Sequence, residues 1–187
     1  MQTWEPRRRF SSLRARMWFN YRLDIWFLIS LIIALLTVTF QTKALADPMA
    51  PNFCLRDLAG QDVCLEDFRG KLVLLDFWAT WCLPCRASIP ELNRLQDRYR
   101  NQGLVVLGIA VEDPHMLPDD DLRLYKQTTQ MNYTVLRSDQ KMISAYFPNQ
   151  RPTIPTIFLI RPNGRIAKKI VGFLPNTFVT SLAELLK

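Results

Sequence analysis

The apolar run Leu72-Val73-Leu74-Leu75-Asp76-Phe77-Trp78 leads within three residues into Cys82-Leu83-Pro84-Cys85, and no other feature constrains the chain as tightly. A run broken by one charge reads as a strand covered on both faces. The cysteines then fall where a strand hands over to a helix. A helix N-terminus offers free N–H groups and the positive end of the macrodipole, so Cys82 ionises easily there. The thiolate is the attacking species in disulfide exchange. Two cysteines at this spacing can close a small disulfide ring and reopen it, and Pro84 restricts the helix's first turn and stiffens that ring. The stretch reads as a dithiol redox centre, with Cys82 as nucleophile and Cys85 as the cysteine that resolves the mixed disulfide. No histidine stands between them, so one thiolate stabiliser typical of strong oxidants is missing, which leans towards a reductant. A zinc site is the competing use of Cys-x-x-Cys, but it needs two further ligands. Cys54, Cys64 and His115 are the only other cysteines and histidine in the chain.

The net charge is +7, and +5 of it lies in residues 1–46, where seven Lys/Arg face Glu5 and Asp24. The remainder is nearly balanced, so it lacks the basic stripe that nucleic-acid binding requires. Residues 25–40 form an uncharged apolar run behind an Arg-rich segment, followed by Ala44-Leu45-Ala46. That is the layout of a signal peptide cleaved after Ala46. An uncleaved membrane anchor with its arginines inside is the alternative. Met17 is a second candidate start, giving a leader of ordinary length. Either way a leader over 1–46 delivers a domain over 47–187 to the periplasm, an oxidising compartment where disulfides persist.

Within 47–187 the pattern alternates strands and helices. The cysteine-bearing stretches around Leu58-Ala59-Gly60 predict a hairpin. Strands are expected at 72–78, 104–111, 134–136, 156–160 and 165–171. The last two are joined by Pro162-Asn163-Gly164, a hairpin signal. Helical periodicity covers 87–102, with shorter helices from Asp119 and over 139–147 and a closing helix over 176–187. An α/β fold follows, with a central mixed sheet flanked by helices and an extra N-terminal hairpin. If Arg56 pairs with Asp62 in that hairpin, Cys54 and Cys64 face one another, close enough to bridge. A structural disulfide, two free thiols and a second redox pair all remain open. His115 is assigned no role.

Asp76-Phe77-Trp78-Ala79-Thr80-Trp81-Cys82-Leu83-Pro84-Cys85-Arg86 resembles the thioredoxin active-site segment. Together with Ala50-Pro51-Asn52-Phe53 and the hairpin, it is similar to the TlpA/ResA/CcmG-like branch of extracytoplasmic thiol-disulfide oxidoreductases. The resemblance covers about residues 50–187 and implies a thioredoxin-like fold and reduction of protein disulfides, with apocytochrome c cysteines as one target. By the same resemblance Asp76 relays a proton to and from Cys85, with a raised pKa. Pro90 matches the helix-bending proline. Ile154-Pro155-Thr156 matches the cis-proline element, so Pro155 packs on the disulfide and the Ile154 backbone pairs with an extended substrate. Trp81 is the expected contact for the target, with Trp78 on the floor of the site. Many members of the branch carry Asn at the position of Asp76 and a functional Glu at that of Ser88, so proton handling here is expected to be closer to that of thioredoxin. The chemistry needs no cofactor or metal. It does need a disulfide-bearing protein substrate and, in an oxidising compartment, a membrane-embedded electron donor. The membrane is expected to touch the chain only through its N-terminal segment.

Three rival readings stand beside this one. A disulfide oxidant or isomerase uses the same residues in the opposite direction. A non-catalytic binding module would leave the intact Cys-x-x-Cys, Asp76 and Pro155 without a purpose. A peroxiredoxin shares the fold, but its Pro-x-x-x-Thr/Ser-x-x-Cys pattern does not fit Thr80-Trp81-Cys82.

Overall fold

The computed structural model describes residues 29–31, 47–172, 180, 182, 184 and 185. The chain separates into two units, Met1–Asp47 and Pro48–Lys187. In the first, residues 29–31 are helical and exposed. The rest of the apolar run and the Ala44-Leu45-Ala46 site lie outside the described residues. No helix among the described residues is long and apolar enough to cross a membrane.

The second unit opens with the hairpin β1 (Cys54–Arg56) and β2 (Asp62–Cys64), a two-stranded sheet of its own, followed by a 3-10 turn at Leu65–Phe68. Then come β3 (Leu72–Trp78), α1 (Leu83–Tyr99), a 3-10 turn at Arg100–Gln102, β4 (Leu104–Ala110), α2 (Asp119–Thr128), β5 (Thr134–Arg137), α3 (Gln140–Tyr146), β6 (Thr156–Ile160) and β7 (Ile166–Val171). The main sheet runs β5-β4-β3-β6-β7. β3, β4 and β5 are parallel, while β6 and β7 are antiparallel to their neighbours. This is the mixed sheet expected of a thioredoxin-like fold, with the N-terminal hairpin added.

β3 lies at the centre of the sheet and all seven of its residues are buried. Alternation along a strand sends successive side chains to opposite faces. Leu72, Leu74 and Trp78 join Ile89, Leu92 and Leu95 of α1 and Leu122 of α2 in one core cluster. Val73, Leu75 and Phe77 join Phe53, Leu55, Met142 and Tyr146 in the other. Helices therefore cover both faces. Phe77 is ringed by Tyr146, Phe147 and Phe158 at centroid distances of 5.3, 4.9 and 5.7 Å. Each fully buried side chain of this size stabilises the fold by about 1.5–3 kcal/mol, so the strand that carries the site is among the best anchored.

Local signals explain the element ends. Gly103, at φ 88°, closes the turn after α1, and its carbonyl receives the Leu72 N–H at 2.9 Å. The Asp139 carboxylate accepts from the Met142 N–H at 2.6 Å and caps α3. In the β6–β7 connection, Arg161 N–H donates to the Arg165 carbonyl at 2.8 Å across Pro162-Asn163-Gly164, with Gly164 left-handed. α1 begins at Leu83, where the strand-to-helix handover at the cysteines is expected, although the apolar stripe starts only later because Leu83 faces solvent, out of phase with Ile89, Leu92 and Leu95. The helix expected at 176–187 lies outside the described residues except for Thr180, Leu182, Glu184 and Leu185, which are helical, with Leu182 buried in the core.

Candidate active site

β3 ends at Trp78, and Ala79-Thr80-Trp81 carries the chain to α1. Cys82 is the N-cap of α1 and Pro84 sits in its first turn. Proline suits that position because its missing N–H has no helical partner to lose. Cys82 and Cys85 are bonded to each other, and Cys82 Sγ also accepts the Cys85 N–H at 3.2 Å. When the bond opens, the same N–H and the helix dipole favour a thiolate on Cys82. Cys82 is 5% exposed and Cys85 1%, so an incoming sulfur meets Cys82 first.

Asp76 lies between Leu74 and Trp78 on the face of β3 that carries α1 and the cysteines. It is fully buried, and burial pushes its carboxyl from the ordinary 3.8 up to about 7. Its Oδ1 has no hydrogen-bond partner among the described residues, nor do Trp78 Nε1, Tyr125 Oη and Tyr133 Oη. These polar groups are neighbours. The rings of Trp78 and Tyr125 stack at 5.5 Å. The Tyr133 hydroxyl is pushed well up by burial, and further by the charges of Asp76 and Tyr125. Ser88, three residues after Cys85, is buried and donates to the Cys85 carbonyl at 2.7 Å.

The sheet sets the other side of the site. Thr156, the first residue of β6, stands opposite Phe77, near the end of β3. Ile154 and Pro155 therefore sit on the rim from which the chain leaves for Cys82. The Ile154–Pro155 peptide is cis, and the Pro155 carbonyl accepts the Gly172 N–H at 2.8 Å. Pro155 is buried, while Ile154 is half-buried and packs on both core clusters. Trp81 and Leu83 flank Cys82 at 69% and 72% exposure, forming an exposed apolar rim. Trp78, expected on the floor, is 1% exposed and lies in the core behind the site.

Sequence reasoning passed over Glu112. Its Oε1 accepts both the Thr80 N–H, at 2.9 Å, and the Thr80 hydroxyl, so it holds the loop between β3 and Cys82. A positional signal existed, since Glu112 follows an apolar strand directly, and ligand sites in α/β sheets gather at such strand ends. Tyr125 and Tyr133 gave no such signal, because their closeness to Asp76 is set by tertiary packing. Cys54 and Cys64 belong to the separate hairpin and are bonded to each other.

Comparison with known proteins agrees with this geometry. The AhpC/TSA family model matches residues 47–169. The thiol-disulfide oxidoreductase ResA of Geobacillus thermodenitrificans is 32% identical over 80% of this chain and 82% of its own length. That of Geobacillus kaustophilus is 37% identical over 72% and 74%. A crystal structure of a thiol:disulfide interchange protein of the thioredoxin family from Chlorobium tepidum matches with a TM-score of 0.67 and 28% identity, covering 75% of this chain and 97% of its own. With its cysteine pair at the head of α1 and these relatives spanning most of its length, the chain belongs to the AhpC/TSA family and, within it, to the thiol-disulfide oxidoreductases of the ResA type.

Proposed function

We propose that this thiol-disulfide oxidoreductase works in the periplasm as a reductant of protein disulfides. The Cys82 thiolate attacks one sulfur of the target bond, and the other target sulfur leaves as a thiolate and takes up a proton. Cys85, giving its proton to Asp76, then attacks Cys82 and releases the second target thiol. The target gains two electrons and two protons, and the Cys82–Cys85 bond forms. The observation that carries this reading is the placement of Cys82 as N-cap of α1 beside an amide donor, with a buried carboxyl near neutrality on the same face of the sheet. A base with a pKa near ambient pH accepts and returns a proton at little cost.

Trp81, Ile154 and Pro155 are the proposed substrate contacts, with an extended target segment lying along the Ile154 backbone. Apocytochrome c cysteines fit this class of target. The domain over 47–187 acts as the catalytic unit, and the leader over 1–46 exports it, either cleaved near Ala46 or kept as the single membrane attachment. A membrane-embedded donor returns the pair to the dithiol. The Cys54–Cys64 bond supports an oxidising compartment.

The deciding experiment is the reduction potential of Cys82–Cys85 in a Cys54→Ser/Cys64→Ser background, equilibrated against dithiothreitol and followed by tryptophan fluorescence. A potential of about −270 mV supports the reductase direction, and one of about −120 mV makes the protein a disulfide donor.

A further inference from the structure

The hairpin carries chemistry that the active site does not use. Cys54 and Cys64 are directly opposed across β1 and β2. Asp57 N–H donates to the Gln61 carbonyl at 2.9 Å and Leu65 N–H to the Phe53 carbonyl at 3.0 Å. Alternation along an antiparallel ladder then makes Cys54 and Cys64 a non-hydrogen-bonded pair, the closer kind, whose side chains leave the same face. Their Cα atoms are 4.0 Å apart. Cys54 is exposed and Cys64 half-buried. Glu66 follows in the 3-10 turn, and one of its carboxylate oxygens and the two sulfurs all lie within 4.8 Å of one another. Asn52 Nδ2 donates to Glu66 Oε2 at 3.3 Å. Two sulfurs and a carboxylate oxygen gathered on one surface are a donor set of the zinc type.

We infer that Cys54, Cys64 and Glu66 form a binding site for a thiophilic divalent cation of the zinc class, open when the hairpin bridge is reduced and closed when it is oxidised. A dithiol reductant breaks the S–S bond, supplies two electrons and two protons, and becomes a disulfide itself. The cation then displaces the two thiol protons and is held by two thiolates and one carboxylate oxygen, leaving a fourth position for water. Sulfurs bound at about 2.3 Å to a tetrahedral ion stand roughly 3.8 Å apart, a spacing that the facing pair can span. Asn52 is placed to orient the carboxylate, as outer-shell groups do in metal sites. Cys54 and Glu66 are exposed, so the site is open to solvent, and a cleft of about 330 Å³ adjoins it at Asn52, Phe53 and Cys54.

The test uses the full chain carrying Cys82→Ser/Cys85→Ser, so that only the hairpin thiols bind. Zn(II) is titrated into the phosphine-reduced and the oxidised protein against a chromophoric chelator, with Cd(II) charge-transfer absorption as the thiolate signature. One equivalent is expected to bind the reduced form and none the oxidised form. Cys54→Ser abolishes binding, and Glu66→Gln weakens it by about tenfold or more. Binding no tighter than in a protein lacking both hairpin thiols overturns the inference, as does unchanged affinity in Glu66→Gln. Where reduction unpairs the hairpin, Zn(II) must restore hydrogen-exchange protection to its amides, and failure to do so also overturns it.

Discussion

Asp76 and Gly108 stand directly opposite one another in the parallel pair β3–β4. A β-carbon at Gly108 would lie 3.0 Å from Trp78 Nε1 and 3.0 Å from Tyr133 Cε2. The missing side chain makes room for the polar groups gathered behind the cysteines. Gly108→Ala should therefore destabilise the fold by about 1–3 kcal/mol, the usual cost of overpacking a core. Urea unfolding with tryptophan fluorescence measures it, and unchanged stability would show that Trp78 and Tyr133 move aside freely.

Asp76 should make stability fall as pH rises through neutrality. Its carboxyl is raised from 3.8 to about 7 by burial. The folded state therefore prefers the protonated form. That preference counts fully below the unfolded value, is lost as pH climbs towards 7, and leaves a buried charge above it. The whole span corresponds to about 4 kcal/mol at most. Asp76→Asn should gain stability at about pH 8 relative to the parent, show little change at about pH 4, and lose the pH dependence of exchange near neutrality. Denaturant midpoints at the two pH values check the first two, and rates of target reduction against pH check the third.

Glu112→Ala should loosen the loop that carries Trp81 and Cys82. It removes the acceptor of the Thr80 N–H and hydroxyl and leaves a partly buried amide unpaired, at a cost of about 1–3 kcal/mol. Stability should drop by that amount, and KM for a protein disulfide should rise more than kcat falls. A variant with parental KM would limit Glu112 to holding the fold.

Removing the hairpin bridge should weaken the domain without silencing it. The bond closes a short loop with a sequence separation of 10, for which chain entropy predicts about 2–3 kcal/mol. Cys54→Ser/Cys64→Ser should unfold at lower urea while keeping insulin-reduction activity. Loss of that activity in a folded variant would tie the hairpin thiols to catalysis.

Cys85→Ser should trap target proteins as mixed disulfides on Cys82, whereas Cys82→Ser should trap none. Non-reducing electrophoresis of extracts separates the two. Equal trapping by both variants would reassign the nucleophile.

Much of this was legible in the chain, for identifiable reasons. Strands 72–78 and 156–160 appear as read, because unbroken apolar runs leave a buried strand few alternatives. The helix starts expected at Asp119 and Asp139 hold within a residue: acids suit the first turn at Asp119, and Asp139 turns out to cap α3. The pairing of Arg56 with Asp62, on which the facing of Cys54 and Cys64 depended, is present in the hairpin register. The first turn of α1 did not show in the periodicity, because Leu83 faces solvent. Glu112, Tyr125 and Tyr133 reach the site from the loop after β4, from α2 and from the segment before β5, and the convergence of the two tyrosines on Asp76 is a product of packing that no local pattern encodes. Asp76 was conspicuous because a carboxylate in an apolar strand is costly without a purpose.

The opposed directions of β3 and β6 have a consequence for how such a protein can diversify. One strand finishes where the other begins, so the segment bearing the cysteines and the segment bearing Pro155 are locked by a single ladder, although 69 residues lie between Cys85 and Pro155. Within the intervening stretch, the exposed segments outside β4 and the core, such as the turn at 148–153, can change length or charge without disturbing their alignment. Selection can thus retune partners through the surroundings while the two halves of the site keep a common mechanical reference.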